Sequence, residues 1–123
     1  MARILIVEDE SMEQLILRII LERAGHELFF AEDGEEALAI YSKEGIQVVI
    51  TDLFLPHIGG LELIRVLKRL FPEAVVIAVS GKGSQELAMA KLEGAVATLS
   101  KPVDPVELIA LVDEAVGSGQ TSD

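Results

Sequence analysis

Four groups of polar side chains stand at the ends of apolar runs, and their types suit phosphoryl and metal chemistry. Asp52 closes the run 46–51 (IQVVIT), and Glu8 and Asp9 close 4–7 (ILIV). Ser80 follows 75–79 (VVIAV), and Lys101 comes just after 95–99 (AVATL). If these runs are neighbouring parallel strands, three carboxylates meet in one shallow crevice. Two unit charges about 4 Å apart repel by roughly 4 kcal/mol at an effective dielectric of 20, so the cluster calls for a cation. Hard oxygen ligands select magnesium or calcium, and a site of few carboxylates completed by water and phosphate suits Mg2+, which resists full dehydration. A carboxylate facing a metal-bound phosphoryl donor can act as nucleophile, while a lysine ammonium neutralises charge on the phosphoryl oxygens. On that chemistry Asp52 is the nucleophile and Lys101 the clamp. The Ser80 hydroxyl is placed to donate to a phosphoryl oxygen, so that a loop hinged by Gly81 and Gly83 moves when phosphate arrives.

The elements that must position these groups follow from periodicity. Apolar strand-like runs alternate five times with segments of helical period, the pattern of a parallel sheet with crossover helices, an α/β sandwich. The acidic residues 8–10 lead into a stripe of Met12, Leu15, Ile16, Ile19 and Ile20, predicting a first helix that ends near Ala24 and Gly25. A short strand over 28–31 precedes a second helix that starts at Asp33 and Gly34, carries Ala37, Leu38 and Tyr41, and stops before Gly45. Pro56, Gly59 and Gly60 mark the loop after Asp52, and Leu63, Leu67, Leu70 and Phe71 predict a third helix stopped at Pro72. A weaker helix runs from the 81–84 turn to Gly94. Asp104 and Pro105 open the last helix, with Leu108, Leu111, Val112, Ala115 and Val116 on its apolar face. The leucine and valine stripes are expected in the core, with Met12 and Met89 as packing residues.

Bulk composition narrows the classes. A chain of 123 residues fits one domain with a real core, and the expected division is a domain over residues 1–117 with a flexible tail over 118–123. Mean hydropathy is +0.44, yet no apolar stretch approaches the roughly 18 to 20 residues that span a bilayer. The start of the chain lacks a secretory pattern, so the cytoplasm is the expected compartment and no membrane insertion is expected. Absence of cysteine excludes disulfides, thiolate metal sites and thiol nucleophiles. Ten basic against 21 acidic side chains give a net charge of -11, which repels phosphate backbones and argues against direct nucleic-acid binding.

Taken together, the acidic pair Glu8 and Asp9, Asp52 followed by Leu55-Pro56 and Gly60, the Ser80 hydroxyl and Lys101-Pro102 resemble bacterial response-regulator receiver domains, the phosphorylatable modules of two-component signalling. The resemblance covers residues 3 to 116. It implies five parallel strands in order 2-1-3-4-5 flanked by five helices, the flavodoxin-like sandwich of chemotaxis-type receivers. It also implies that Asp9, Asp52 and the backbone carbonyl of Phe54 bind Mg2+, that Glu8 assists through water, and that the Lys101-Pro102 bond is cis. Asp52 would then receive a phosphoryl group from a histidine kinase or histidine phosphotransfer protein. The changed surface would act on a downstream protein target or a fused output domain, and a homodimer is compatible with that reading. Such a domain promotes only its own phosphorylation and dephosphorylation and is no enzyme in the ordinary sense.

The sequence departs from the family pattern in ways that bear on mechanism. Glu8 replaces the commoner aspartate. Thr98, three residues before Lys101, stands where many members carry the tyrosine or phenylalanine that rotates inward on phosphorylation, so output must rest on Ser80, Gly81, Pro102 and backbone movement. Gly81 often is alanine in relatives. Phe54 and Lys82 occupy positions that influence hydrolysis of the acyl phosphate, and a bulky ring there implies a long-lived phosphoryl state.

Each residue alone has a plainer reading: Asp52 as a strand-end acid, Ser80 as a turn residue, Lys101 as a solvated loop charge, Glu10 as a complement to a helix dipole. His57 reads as a solvated loop histidine and His26 carries no functional expectation. Two rival functions are kept. A degenerate receiver acting as a constitutive interaction module is suggested by Thr98. A small phosphatase of the haloacid-dehalogenase type shares the aspartyl phosphate and Mg2+, but its Asp-x-Asp pattern fails because position 54 is Phe.

Overall fold

The central strands are apolar up to the polar residues at their carboxyl ends, because both of their faces are covered by helices and no polar alternation survives. In the computed structural model, which describes residues 1–81 and 84–119, five strands alternate with five helices. They are β1 Arg3–Val7, α1 Ser11–Arg23, β2 Glu27–Ala31, α2 Gly34–Glu44, β3 Val48–Asp52, α3 Gly60–Leu70, β4 Val76–Ser80, α4 Ser84–Glu93, β5 Ala97–Ser100 and α5 Pro105–Gly119. All four strand pairings are parallel and the order is β2-β1-β3-β4-β5. This is the expected doubly wound sandwich.

Successive strand residues feed two cores. Leu5, Val7, Val49, Val76 and Ala78 pack with Ala37 of α2, Leu63 and Leu67 of α3 and Ala90 of α4. Ile4, Ile6, Val48, Ile50, Ile77 and Val79 pack with Leu17 and Leu21 of α1 and Leu108, Val112 and Ala115 of α5. Local signals set the helix ends: the Asp33 side chain accepts from the Glu36 N–H at 2.9 Å, and Gly45 closes α2 at φ 66°. The Asp104 side chain accepts from the Val106 N–H at 3.0 Å at the start of α5.

Several sequence expectations need correction. The α1 stripe is mostly outward: Met12, Leu15, Ile16 and Ile19 are exposed, while Leu17 and Leu21 are buried and Ile20 packs beside them. Apolar residues surround most of this helix, so periodicity alone does not select the buried face. Leu70 and Met89 are likewise exposed. β3 starts at Val48 and includes Asp52 as its last residue, and β5 starts at Ala97. α5 continues past Gly117 to Gly119, and residues 120–123, the rest of the expected tail, lie outside the described residues. His26 has a structural contact, its Nδ1 accepting from the Ala2 N–H at 3.0 Å.

Candidate functional site

In open α/β sheets a crevice forms at the carboxyl edge where strand order reverses, and here β1 lies between β2 and β3 at that point. The register pairs Val7 with Thr51, so Glu8 and Asp9 leave β1 beside Asp52. It pairs Asp52 with Val79 and Ser80 with Ser100, which sets the next two strand ends alongside. Glu8, Asp9 and Asp52 each offer a carboxylate oxygen within 4.8 Å of one another. The donors are all hard oxygens, a set that fits a small divalent cation such as Mg2+.

Lys101 reaches this cluster from the loop between β5 and α5. Its Nζ lies 3.1 Å from Asp52 Oδ2 and 3.2 Å from Glu8 Oε1. It also lies 2.7 Å from Glu13 Oε1 on the first turn of α1. The Lys101-Pro102 peptide is cis, as the resemblance implied. Asp52 is 8% exposed and its Oδ1 accepts from the Phe54 N–H at 3.3 Å. The Thr51 hydroxyl donates to the Asp52 carbonyl at 2.8 Å.

Burial sets the electrostatics of Glu8, one of the three acids that touch Lys101. Glu8 is 2% exposed; burial, reinforced by the charge of Asp52, pushes its carboxyl up to about 7, although the Glu10 N–H and Lys101 pull the other way. Desolvation would lower the Lys101 ammonium, but hydrogen bonds to Glu13 and Asp52 and the charges of Asp52 and Glu8 outweigh it and hold it above the ordinary lysine range. The lysine is therefore a fixed cation. The Glu8 carboxylate is also taken up by the protein on both sides, with Oε2 accepting from the Glu10 N–H at 3.1 Å.

Other sequence-predicted residues fall around this centre. Asp9, Glu10, Asp52, Phe54, Gly81 and Lys101 line an open cleft, with the Phe54 ring about half exposed. Ser80 is buried at the end of β4 and Gly81 is exposed next to it. Thr98 lies half-buried in β5, opposite Ala78. Lys82 and Gly83 lie outside the described residues. His57 is exposed at φ 66° in the loop after Pro56. Glu13 is the site residue that sequence reasoning missed. Its signal, an acid in the first turn of a helix leaving the crevice, is the same as that of an ordinary dipole-complementing residue.

Comparison with known proteins agrees with this architecture. The family profile described as the response regulator receiver domain matches residues 4–113. A response regulator receiver protein of Anaeromyxobacter sp. (strain Fw109-5) is 38% identical over 84% of this chain and 44% of its own length. Protein PilH of Pseudomonas aeruginosa is 32% identical over 92% of this chain and 96% of its own length. The chain spans about half the length or less of several curated relatives that it matches. The crystal structure of a CheY-like response regulator receiver domain protein from Methanospirillum hungatei superposes with a TM-score of 0.92 at 31% identity, covering 100% of this chain and 99% of that one. Among the described residues no helix is long and apolar enough to cross a membrane. By both sequence and fold, the chain belongs to the response-regulator receiver domain family of two-component signalling.

Proposed function

We propose that this receiver accepts a phosphoryl group on Asp52, with Mg2+, from a phosphohistidine of a histidine kinase or phosphotransfer protein. The observation that carries the reading is the Lys101 Nζ placed 3.1 Å from Asp52 Oδ2, at the rim of a three-carboxylate cluster. In the transfer, a carboxylate oxygen of Asp52 forms a bond to phosphorus while the donor's nitrogen–phosphorus bond breaks. The imidazole departs with the bond electrons. Asp9, Asp52 and the Phe54 carbonyl are the ligands proposed for the metal, which neutralises phosphoryl charge when bound. Lys101 supplies a permanent ammonium to the phosphoryl oxygens, and the buried Ser80 hydroxyl is assigned the second contact.

Formation of the acyl phosphate pulls Ser80, Gly81 and the Lys101-Pro102 segment toward the new oxygens, altering the surface presented to a downstream protein or fused output domain. With Thr98 where an aromatic switch is common, the backbone carries that change. The chain acts in the cytoplasm in this reading and turns over no separate substrate. Incubation with acetyl phosphate and Mg2+, followed by intact mass before and after mild base, tests it. A base-labile phosphoryl adduct absent from Asp52→Asn supports the acceptor. Steady phosphate release with turnover points instead to a phosphatase, and no adduct points to a constitutive interaction module.

A further inference from the structure

The Lys101 ammonium has three N–H donors, and three carboxylates already surround it: Asp52, Glu8 and Glu13. A phosphoryl group on Asp52 brings further negative oxygens to the same ammonium, so one of the present acceptors must yield. The three differ in what yielding costs. Asp52 is the acceptor itself, and Glu8 is 2% exposed with its other oxygen tied to the Glu10 N–H. Releasing Glu8 strands a buried charge. The Glu13 side chain is 34% exposed, so water takes up its carboxylate readily. Yet Glu13 makes the shortest of the three contacts, and its helix is held against the site by the Gln14 amide, which donates to the Glu8 carbonyl at 2.5 Å.

We propose that Glu13 is a positioning residue acting as an internal brake: it occupies the Lys101 ammonium until an incoming phosphoryl oxygen displaces it, and so slows phosphorylation of Asp52. The inference rests on Asp52 being the acceptor. With acetyl phosphate as donor, an Asp52 oxygen bonds to phosphorus, the bond from phosphorus to the acetyl oxygen breaks, and acetate leaves with its electrons. No electron or net proton is exchanged with any other group. In the same step Lys101 turns from Glu13 toward a phosphoryl oxygen, and the Glu13 carboxylate, now facing an added anion, swings to solvent.

The test is the rate of adduct formation with acetyl phosphate and Mg2+, read by intact mass, in the full chain and in Glu13→Gln. Glutamine keeps size and a hydrogen-bond acceptor while removing the charge. The variant is expected to gain the phosphoryl group about fivefold faster, the size set by loss of one partly exposed ion pair. Beryllofluoride, which mimics the phosphoryl group without a leaving group, is expected to bind the variant more tightly by a similar factor. A merely structural role for Glu13 gives a loss in both measurements rather than a gain. Equal or slower labelling of Glu13→Gln, with the wild-type adduct still dependent on Asp52, overturns the brake and leaves the acceptor assignment standing. A wild-type chain without an adduct, or an adduct retained in Asp52→Asn, overturns both.

Discussion

Gly60 packs directly on the backbone of Asp52: a Cβ at position 60 would sit inside contact distance of the Asp52 carbonyl and 2.5 Å from the Leu53 Cα. Those atoms are backbone, so they cannot swing aside, and the Gly60 N–H also donates to the Leu53 carbonyl at 2.9 Å. The start of α3 is thereby clamped to the end of β3, which fixes where Asp52 points. Gly60→Ala is expected to destabilise the fold by about 2 to 4 kcal/mol. The neighbouring Gly59 has φ -70° and meets only the Leu53 carbonyl, 3.9 Å from an added Cβ. Gly59→Ser is expected to stabilise by about 0.5 kcal/mol, by capping α3 and restricting the unfolded chain. Urea denaturation of the two variants gives opposite signs on this account, and matching signs contradict it.

Glu8 makes the metal-free protein sensitive to pH. Its folded-state value of about 7 stands above the ordinary 4.5. Below 4.5 folded and unfolded chains both hold the proton. As pH rises through this window the unfolded chain ionises first, so stability falls, and the loss is complete above about 7. At about 1.4 kcal/mol per tenfold change in proton affinity the loss is on the order of 3 kcal/mol. Without divalent cations, Glu8→Gln is expected to be more stable than wild type at pH 8 and no different at pH 4. Thermal melts at the two pH values check it, and an offset independent of pH would count against the buried-acid account.

The parallel α/β architecture and the number of strands and helices were legible because buried strands and crossover helices write coarse, redundant patterns, whereas the strand order was implied only by the resemblance to receiver domains. Asp52, Asp9 and Lys101 were legible because they stand at strand ends, where one register shift would separate them. The buried face of α1 was not. Met12, Leu15, Ile16 and Ile19 form a better helical stripe on paper than Leu17 and Leu21, and only the sheet above decides which face is covered. Glu13 was also illegible, because it is one of 21 acidic residues and its partner Lys101 lies 88 positions away along the chain.

Mg2+ is expected to relieve the repulsion among Glu8, Asp9 and Asp52 and so to raise the melting temperature at pH 8. At ten times its dissociation constant the ion should add about 1.4 kcal/mol, and chelation should remove it. Asp9→Asn, which keeps the shape of an exposed side chain, is expected to abolish the shift while leaving the metal-free melt within a few degrees. An undiminished Mg2+ effect in Asp9→Asn would take this residue out of the proposed ligand set.

The Phe54 ring borders the cleft over Asp52 and is about half exposed. In the proposed phosphoryl state it stands across one approach of water to phosphorus. Phe54→Ala is expected to shorten the adduct's lifetime several-fold without changing the amount formed at saturating donor. Decay of the adduct after donor removal, followed by intact mass, measures this, and an unchanged or longer lifetime rules out shielding by the ring.

The central claim is that the acyl phosphate forms on Asp52, and borohydride reduction addresses it most directly, because hydride converts an aspartyl phosphate to homoserine at the modified position. Phosphorylation with acetyl phosphate and Mg2+, reduction and peptide mass mapping should place homoserine at residue 52 alone, with none formed when Mg2+ is chelated. Homoserine at another acid, or a fully unmodified residue 52 under saturating donor and Mg2+, would contradict the account.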